Sequence, residues 1–113
     1  ENKEVEFIYA AFGVTGLETA LPVIDRELVR PGIISWDDVV RLMSSAPSRI
    51  LGVEGGTMAP GSVADITIYD PDAFWTVDPR EMKSRSANTA YFGWELPGRA
   101  AATVVGGKLR RNS

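Results

Sequence analysis

The fold is decided by one stretch of sequence, Pro60-Gly61-Ser62-Val63-Ala64-Asp65-Ile66-Thr67-Ile68-Tyr69-Asp70. Pro60-Gly61 is a turn dipeptide, and the residues that follow it alternate in polarity and include β-branched side chains. Asp70-Pro71 then ends the run, because proline cannot donate to a strand ladder. The pattern predicts a β-strand over 64–70 that begins after a turn.

Downstream of this strand, the sequence predicts more short strands and no long helix. Residues 74–77 and residues 98–105 have strand character, and Asp78-Pro79 closes the first of these runs. Gly106-Gly107 has the composition of a tight hairpin turn and leads into a last strand over 108–110. The chain downstream of residue 52 is therefore predicted to be mainly β-structure.

Upstream, residues 15–30 are predicted to be helical. Their apolar side chains recur at three- and four-residue steps, which is one face of a helix: Leu17, Leu21, Ile24 and Leu28. Thr15 and Glu18 have the spacing of a capping box. Pro22 conflicts with that start, because an interior proline removes a backbone hydrogen bond, so the regular helix is predicted to begin near Leu21.

A second helix is predicted over 35–45, with Ser35 as its N-cap and two aspartates in its first turn. Ala46-Pro47 is predicted to break this helix. A short third helix then runs from Pro47 to residue 51 and ends at Gly52.

Composition excludes several classes of site. The 113 residues suffice for about one small domain, and 15 acidic and 12 basic side chains give a net charge of −3, a poor balance for binding nucleic acid. The apolar runs are too short to span a bilayer. Without cysteine or histidine, the chain has no thiolate nucleophile, no disulfide, no imidazole ligand and no Ser-His-Asp triad.

The order of helices followed by strands, together with the 60–70 stretch, resembles the C-terminal portion of the amidohydrolase superfamily. Two further stretches are similar to bacterial dihydroorotases. The first matches the loop and helix after their last barrel strand, Ala11-Phe12-Gly13-Val14-Thr15-Gly16-Leu17-Glu18-Thr19-Ala20, and the second matches their C-terminus, Asn88-Thr89-Ala90-Tyr91-Phe92-Gly93-Trp94-Glu95-Leu96.

This resemblance implies an α/β fold: terminal helices of a (β/α)8 TIM-like barrel, followed by strands of a small β-sandwich domain. Residues 1–52 then form the end of the barrel, and residues 53–113 form the C-terminal part of the sandwich. In the family two zinc ions are held by histidines and by an aspartate in a DHxPH segment, which is expected just upstream of Glu1. The chain itself is therefore expected to contribute no catalytic residue and no metal ligand.

One substrate-binding element is implied at Phe12 and Gly13, where the family's backbone contacts the pyrimidine ring. Family members commonly have Ala-Pro-Phe-Gly, whereas this chain has Ala10-Ala11-Phe12-Gly13. The missing proline removes one constraint on φ but leaves the contacting backbone atoms in place. From the residues alone, a plain entry into the helix is the better explanation of Phe12-Gly13.

The implied activity is the reversible hydrolysis of dihydroorotate to N-carbamoyl-aspartate in cytoplasmic pyrimidine biosynthesis, with the 113-residue piece inactive by itself. The implied partners are that substrate pair, the remainder of the same chain, and a second copy of the enzyme or aspartate transcarbamoylase. Neither nucleic acid nor a membrane is expected. The alternatives are a non-catalytic structural partner of aspartate transcarbamoylase and a cyclic amidohydrolase of the hydantoinase or allantoinase type.

Other conspicuous residues have structural explanations. Asp65 is expected to cap a turn or pair with a backbone amide rather than act as a lone catalytic carboxylate. The three tryptophans are expected to pack rather than stack on a ligand: Trp36, Trp75 and Trp94.

Overall fold

The computed structural model describes residue 4, residues 6–9 and residues 13–111, with helices first and strands second. Over these residues a single 3₁₀ turn, Phe7–Tyr9, precedes three α-helical segments, two of which continue as π-helical turns. The α-helices are α1 (Ala20–Ile24), α2 (Trp36–Val40) and α3 (Ala46–Leu51), and the π-helical turns are Asp25–Val29 after α1 and Arg41–Ser45 after α2.

Five strands form two small antiparallel sheets in the described part of the chain. They are β1 (Ile66–Asp70), β2 (Trp75–Thr76), β3 (Glu95–Leu96), β4 (Arg99–Val105) and β5 (Lys108–Arg111). One sheet has the order β1-β4-β5, and the other pairs β2 with β3. The mixture of helix and strand confirms the predicted α/β class at this coarse level.

The first helix begins at Ala20, close to the predicted start, and the position of Pro22 explains why. Pro22 is the third residue of α1, where a backbone N–H has no partner within the helix, so the proline costs no hydrogen bond. The predicted capping box is wrong, because Thr19 precedes the helix without a side-chain cap. Thr15 and Glu18 instead bond to a distant segment of the chain.

The second helix confirms its predicted cap. The Asp38 backbone N–H donates to Ser35 Oγ at 3.2 Å, and the Ser35 backbone N–H donates to Asp38 Oδ2 at 3.1 Å. These reciprocal bonds form a capping box. The pKa of Asp38 is lowered to about 2. The largest cause is the hydrogen bond from the Ser35 N–H, followed by those from the Ser35 hydroxyl and Arg41.

The predicted break at Ala46-Pro47 is wrong, because helical structure continues from Trp36 to Leu51. A proline ring inside an α-helix collides with the carbonyl four residues earlier. Here the wider π-helical turn Arg41–Ser45 directly precedes α3 and makes room for the ring. The third helix ends as predicted, at Gly52.

The predicted 64–70 strand is present as β1, with a β-bulge between Ile68 and Tyr69. β1 pairs antiparallel with β4, from Ile66 opposite Val104 to Asp70 opposite Arg99. The hairpin after β4 turns as predicted, and Asp65 Oδ1 accepts the Gly106 N–H at 2.7 Å. Asp65 therefore pairs with a backbone amide, as expected for a structural carboxylate.

Strand β3 was not predicted, although it completes the more buried sheet. Leu96 of β3 is fully buried together with Val77, which follows β2. Trp75 pairs with Leu96, and the Val77 N–H donates to the Trp94 carbonyl at 2.9 Å. Two-residue strands are too short for an alternating pattern to reveal them.

The helices contact the larger sheet through a buried carboxylate. The Tyr69 hydroxyl donates to Asp25 Oδ2 at 3.0 Å and lies 3.2 Å from the Pro97 carbonyl oxygen. Arg30 Nε lies 3.5 Å from Asp25 Oδ1, so the buried charge has a cationic partner. The pKa of Tyr69 is raised, mainly because the hydroxyl is partly buried and also because it donates to Asp25. The hydroxyl therefore stays protonated and acts as a donor.

Few apolar side chains are covered by this arrangement. Among the described residues, the buried hydrophobic side chains are Val39, Val77, Leu96 and Ala102. Leu17 is 96% exposed, Ile50 82% and Met58 81%. The Cα radius of gyration is 16.4 Å, against about 13 Å expected for a compact chain of this length. Large apolar surfaces of the helices and loops therefore remain open.

Gly98 provides a test of the helix–sheet contact. It has a φ of +79°, and a Cβ built on it falls inside the Tyr69 hydroxyl and ring. Gly107 has a nearly equal φ of +76°, but a Cβ there meets no described atom within 4 Å. We expect Gly107→Ala to cost about 1–2 kcal/mol of stability, because alanine disfavours a positive φ.

We expect Gly98→Ala to cost a further 1–3 kcal/mol or so, because the new methyl group also displaces Tyr69. Thermal unfolding of the two variants beside the unsubstituted protein, each made as the full-length protein that contains this chain, measures the difference. Equal melting temperatures for the two variants would show that Tyr69 does not depend on the space at Gly98.

Candidate functional site

Of the predicted substrate-contacting pair, Gly13 is the first residue of the main described stretch. Phe12 lies outside the described residues, and Gly13 is described and exposed. A Cβ built on Gly13 meets no described atom within 4 Å. Residues 13–18, called the 13–18 segment below, lead from Gly13 towards α1.

A distant part of the chain binds this segment. Residues 83–88, called the 83–88 strap below, run between β2 and β3. The Asn88 side-chain amide donates from Nδ2 to the Gly13 carbonyl oxygen at 2.7 Å. The Asn88 carbonyl in turn accepts the Thr15 N–H at 2.8 Å and the Thr15 hydroxyl at 3.1 Å. Asn88 therefore holds the chain on both sides of Val14.

The other end of the strap is held by Glu18. Its Oε2 accepts the Lys83 N–H at 2.9 Å, and its Oε1 accepts the Ser84 N–H at 2.9 Å and the Ser84 hydroxyl at 2.7 Å. The Lys83 N–H is the largest contributor that lowers the pKa of Glu18; the Ser84 donors add to it, and partial burial opposes it. The ionised carboxylate therefore ties the strap to the turn before α1.

The three tryptophans pack at separate places, which agrees with their expected packing role. Trp36 lies against Tyr69 with ring centroids 5.3 Å apart. Trp75 Nε1 donates to the Gly98 carbonyl at 2.9 Å. The Arg26 guanidinium lies 4.5 Å from the centre of the Trp94 ring, a cation–π contact between helix and strand.

The described residues do not fit a metal centre. No group of three or more histidine, cysteine, aspartate or glutamate side chains comes together within residues 4, 6–9 and 13–111. The sequence contains no histidine or cysteine at all. The zinc ions that the family resemblance implies therefore have no ligand set in this part of the chain. A search of the same residues for a helix long and apolar enough to cross a membrane found none.

Comparison with known proteins places the chain in a family. The amidohydrolase family matches residues 7–110, and the chain belongs to that family. It is 46% identical over 109 residues to a dihydroorotase of Geobacter metallireducens, covering 96% of this chain and 26% of the relative. A dihydroorotase of Syntrophus aciditrophicus is 45% identical over 108 residues, covering 96% of this chain and 25% of the relative.

Solved structures of cyclic amidohydrolases share the fold. The L-hydantoinase (dihydropyrimidinase) from Arthrobacter aurescens superposes with a TM-score of 0.83 at 31% identity, covering 90% of this chain and 23% of the hydantoinase. A D-hydantoinase from Thermus sp. gives a TM-score of 0.81 at 25% identity, covering 91% of this chain and 23% of that enzyme. The chain spans about a quarter of the length of the curated relatives it matches.

Sequence reasoning missed the strap residues that contact the site. Asn88 and Ser84 lie about 70 residues downstream of the segment they bind, in a polar stretch without periodicity. The signals in the sequence were the composition, short polar side chains that bond readily to nearby backbone groups, and the position of Asn88 at the start of the stretch that resembles the C-terminus of dihydroorotases. These signals do not identify which backbone groups the side chains bind.

The Glu18 contact predicts a dependence of stability on pH. Because the folded-state pKa of Glu18 is lowered from 4.5, its ionised form stabilises the fold above that pH, and the contribution is lost as the pH falls through the folded-state pKa. We expect Glu18→Gln to cost about 1 kcal/mol at pH 7, since partial exposure weakens these charge-assisted bonds.

The difference between Glu18→Gln and the parent protein should narrow as the pH falls below 4.5. Urea unfolding of the full-length protein that contains this chain, monitored by tryptophan fluorescence at several pH values, measures this difference in the free energy of unfolding. Glu81→Gln, in an exposed position just before the strap, is the matched control and should change stability little. A Glu18→Gln cost that is the same at pH 7 and pH 3.5 or so would contradict the carboxylate tie.

Proposed function

We propose that this chain is a segment of a dihydroorotase, which hydrolyses the dihydroorotate ring reversibly to N-carbamoyl-aspartate in pyrimidine biosynthesis. The proposal is carried by its identity of 45–46% with dihydroorotases across 96% of the chain. The L-hydantoinase that shares the fold is 31% identical. Dihydroorotate is therefore favoured over hydantoin as the substrate of the whole enzyme.

We propose that residues 1–52 close the barrel and residues 53–113 belong to the β-sandwich. Two observations support this division. The helices all precede Gly52, and all five described strands follow it in antiparallel sheets. Val39 of α2 is buried, but Val40, Leu42 and Met43 on α2 and the turn after it are exposed, as they should be if another part of the enzyme covers them.

The role of this chain in the site is binding through backbone atoms. Gly13 and Phe12 are proposed to contact the substrate ring, and the exposed position of Gly13 supports this role. The zinc ions and their ligands are assigned to the rest of the enzyme, because the described residues here do not offer a ligand set. Cytoplasmic location, and assembly with a second copy or with aspartate transcarbamoylase, remain parts of the same proposal.

The activity itself is tested with the full-length protein that contains this chain. We expect it to interconvert dihydroorotate and N-carbamoyl-aspartate with a kcat/KM about 100-fold above its value for hydantoin, because a site built for the ring carboxylate rejects an analogue without one. Preference for hydantoin would replace the proposal with the hydantoinase alternative. Inactivity towards both substrates in the presence of zinc would favour a structural protein.

Gly13→Val tests the backbone contact in the same full-length protein. A Cβ at Gly13 meets no atom of the described residues within 4 Å, so the melting temperature should stay within about 2 °C. A β-branched side chain crowds a ring bound against the backbone, and kcat/KM for dihydroorotate should fall about tenfold or more. Phe12→Leu keeps the backbone atoms and should change kcat/KM by about twofold at most. Unchanged kinetics for Gly13→Val would remove Gly13 from the site.

The proposed division also predicts how the 113-residue piece behaves alone. Its open apolar surfaces and unpaired strand edges should make it poorly folded or self-associating. Adding the rest of the enzyme as a separate chain should produce an ordered complex. Circular dichroism and sedimentation, with and without that complement, are the measurements. A cooperative, monomeric melt of the isolated piece would favour an independent domain.

A further inference from the structure

We propose that Asn88 is a positioning residue for substrate binding: its side-chain amide fixes the Gly13 carbonyl, and with it the backbone that meets the substrate ring. This inference rests on the proposed function. The observation behind it is the 2.7 Å hydrogen bond from Asn88 Nδ2 to the Gly13 oxygen, which joins residues 75 positions apart.

Gly13 depends on such a contact because it has no side chain of its own to hold it. It is exposed, and the space where its Cβ would lie is open among the described residues. No described atom lies within 4 Å of that position, and the hydrogen bond from Asn88 is the contact that holds the Gly13 carbonyl oxygen. Holding the Gly13 carbonyl oxygen fixes the planar peptide unit that joins Gly13 to Val14.

Asn88 holds the next peptide unit as well. Its own carbonyl accepts the Thr15 N–H at 2.8 Å, so one residue aligns two consecutive peptide planes. Asparagine suits this task because its side chain can donate to a carbonyl at this reach. Aspartate at the same position has two acceptor oxygens and repels the Gly13 carbonyl.

The far end of the 83–88 strap makes the test specific. Glu18 binds Lys83 and Ser84 independently of the Asn88 side chain. The Thr15 bonds go to the Asn88 backbone and survive a change of its side chain. Substitution at position 88 should therefore leave the strap attached at Glu18 and Thr15 while it releases the Gly13 carbonyl.

The experiment compares Asn88→Asp and Asn88→Ala with Arg85→Ala in the full-length protein. Arg85 is an exposed residue of the strap that takes no part in these contacts. We expect KM for dihydroorotate to rise about fivefold in Asn88→Ala and about tenfold in Asn88→Asp, with kcat changed less than about twofold. All three variants should melt within about 2 °C of the parent. A merely structural role would lower the melting temperature and the active fraction without raising KM.

Hydrogen exchange of a peptide spanning residues 13–18 provides a readout that does not need activity. We expect faster exchange in both Asn88 variants and no change in Arg85→Ala. Faster exchange with an unchanged KM would overturn the positioning role. Unchanged exchange with unchanged KM would overturn the contact itself. If the full-length protein without substitutions does not turn over dihydroorotate, the proposed function fails. Hydrogen exchange still tests the contact in that case, because unchanged exchange in the Asn88 variants would show that the Asn88 side chain does not hold the 13–18 segment.

Discussion

The hydrogen bond from Tyr69 to the buried Asp25 joins the helices to the sheet. Neighbouring residues neutralise this carboxylate or make room for the Tyr69 ring. Asp25 is 2% exposed, and an unpaired carboxylate at such a position would be strongly destabilising. Tyr69 and Arg30 together satisfy that charge from the sheet and from the helix. Gly98 leaves the space that the Tyr69 ring occupies, and Trp36 also packs against that ring.

A second tie, between the 83–88 strap and the 13–18 segment, uses the same physical principle at the surface. Here Glu18 accepts three hydrogen bonds and Asn88 supplies both a donor and an acceptor. Both ties connect helical and strand regions through single polar side chains, because so little apolar surface is buried within the described chain. The relative placement of the two regions therefore depends on a few specific bonds rather than on an extensive core.

Local structure was largely predictable from the sequence, whereas the contacts between distant elements were not. The Ser35 cap, the stop at Gly52 and the 106–107 hairpin all depend on residues within a few positions of one another. The alternation of polar and apolar residues predicted the position of β1, but it did not predict which of its side chains are buried. The bulge after Ile68 interrupts the alternation, so that Ile66 and Tyr69, three residues apart, are both half-buried. Tyr69, the residue just after the bulge, is the one that donates to Asp25.

The candidate site at Phe12 and Gly13 stays a prediction that rests on the family resemblance. The family resemblance implies a substrate contact at Phe12 and Gly13. The absence of histidine and cysteine from the sequence argues against a thiol nucleophile or an imidazole metal ligand within this chain. A site that binds through backbone atoms has no side-chain signature, since any residue supplies the same carbonyl and amide groups. What would distinguish such a site is the set of side chains that hold its peptide planes, and Asn88 holds the peptide unit after Gly13. The sequence of the loop alone therefore cannot define the conformation of the 13–18 segment, which also depends on a polar segment encoded about 70 residues downstream.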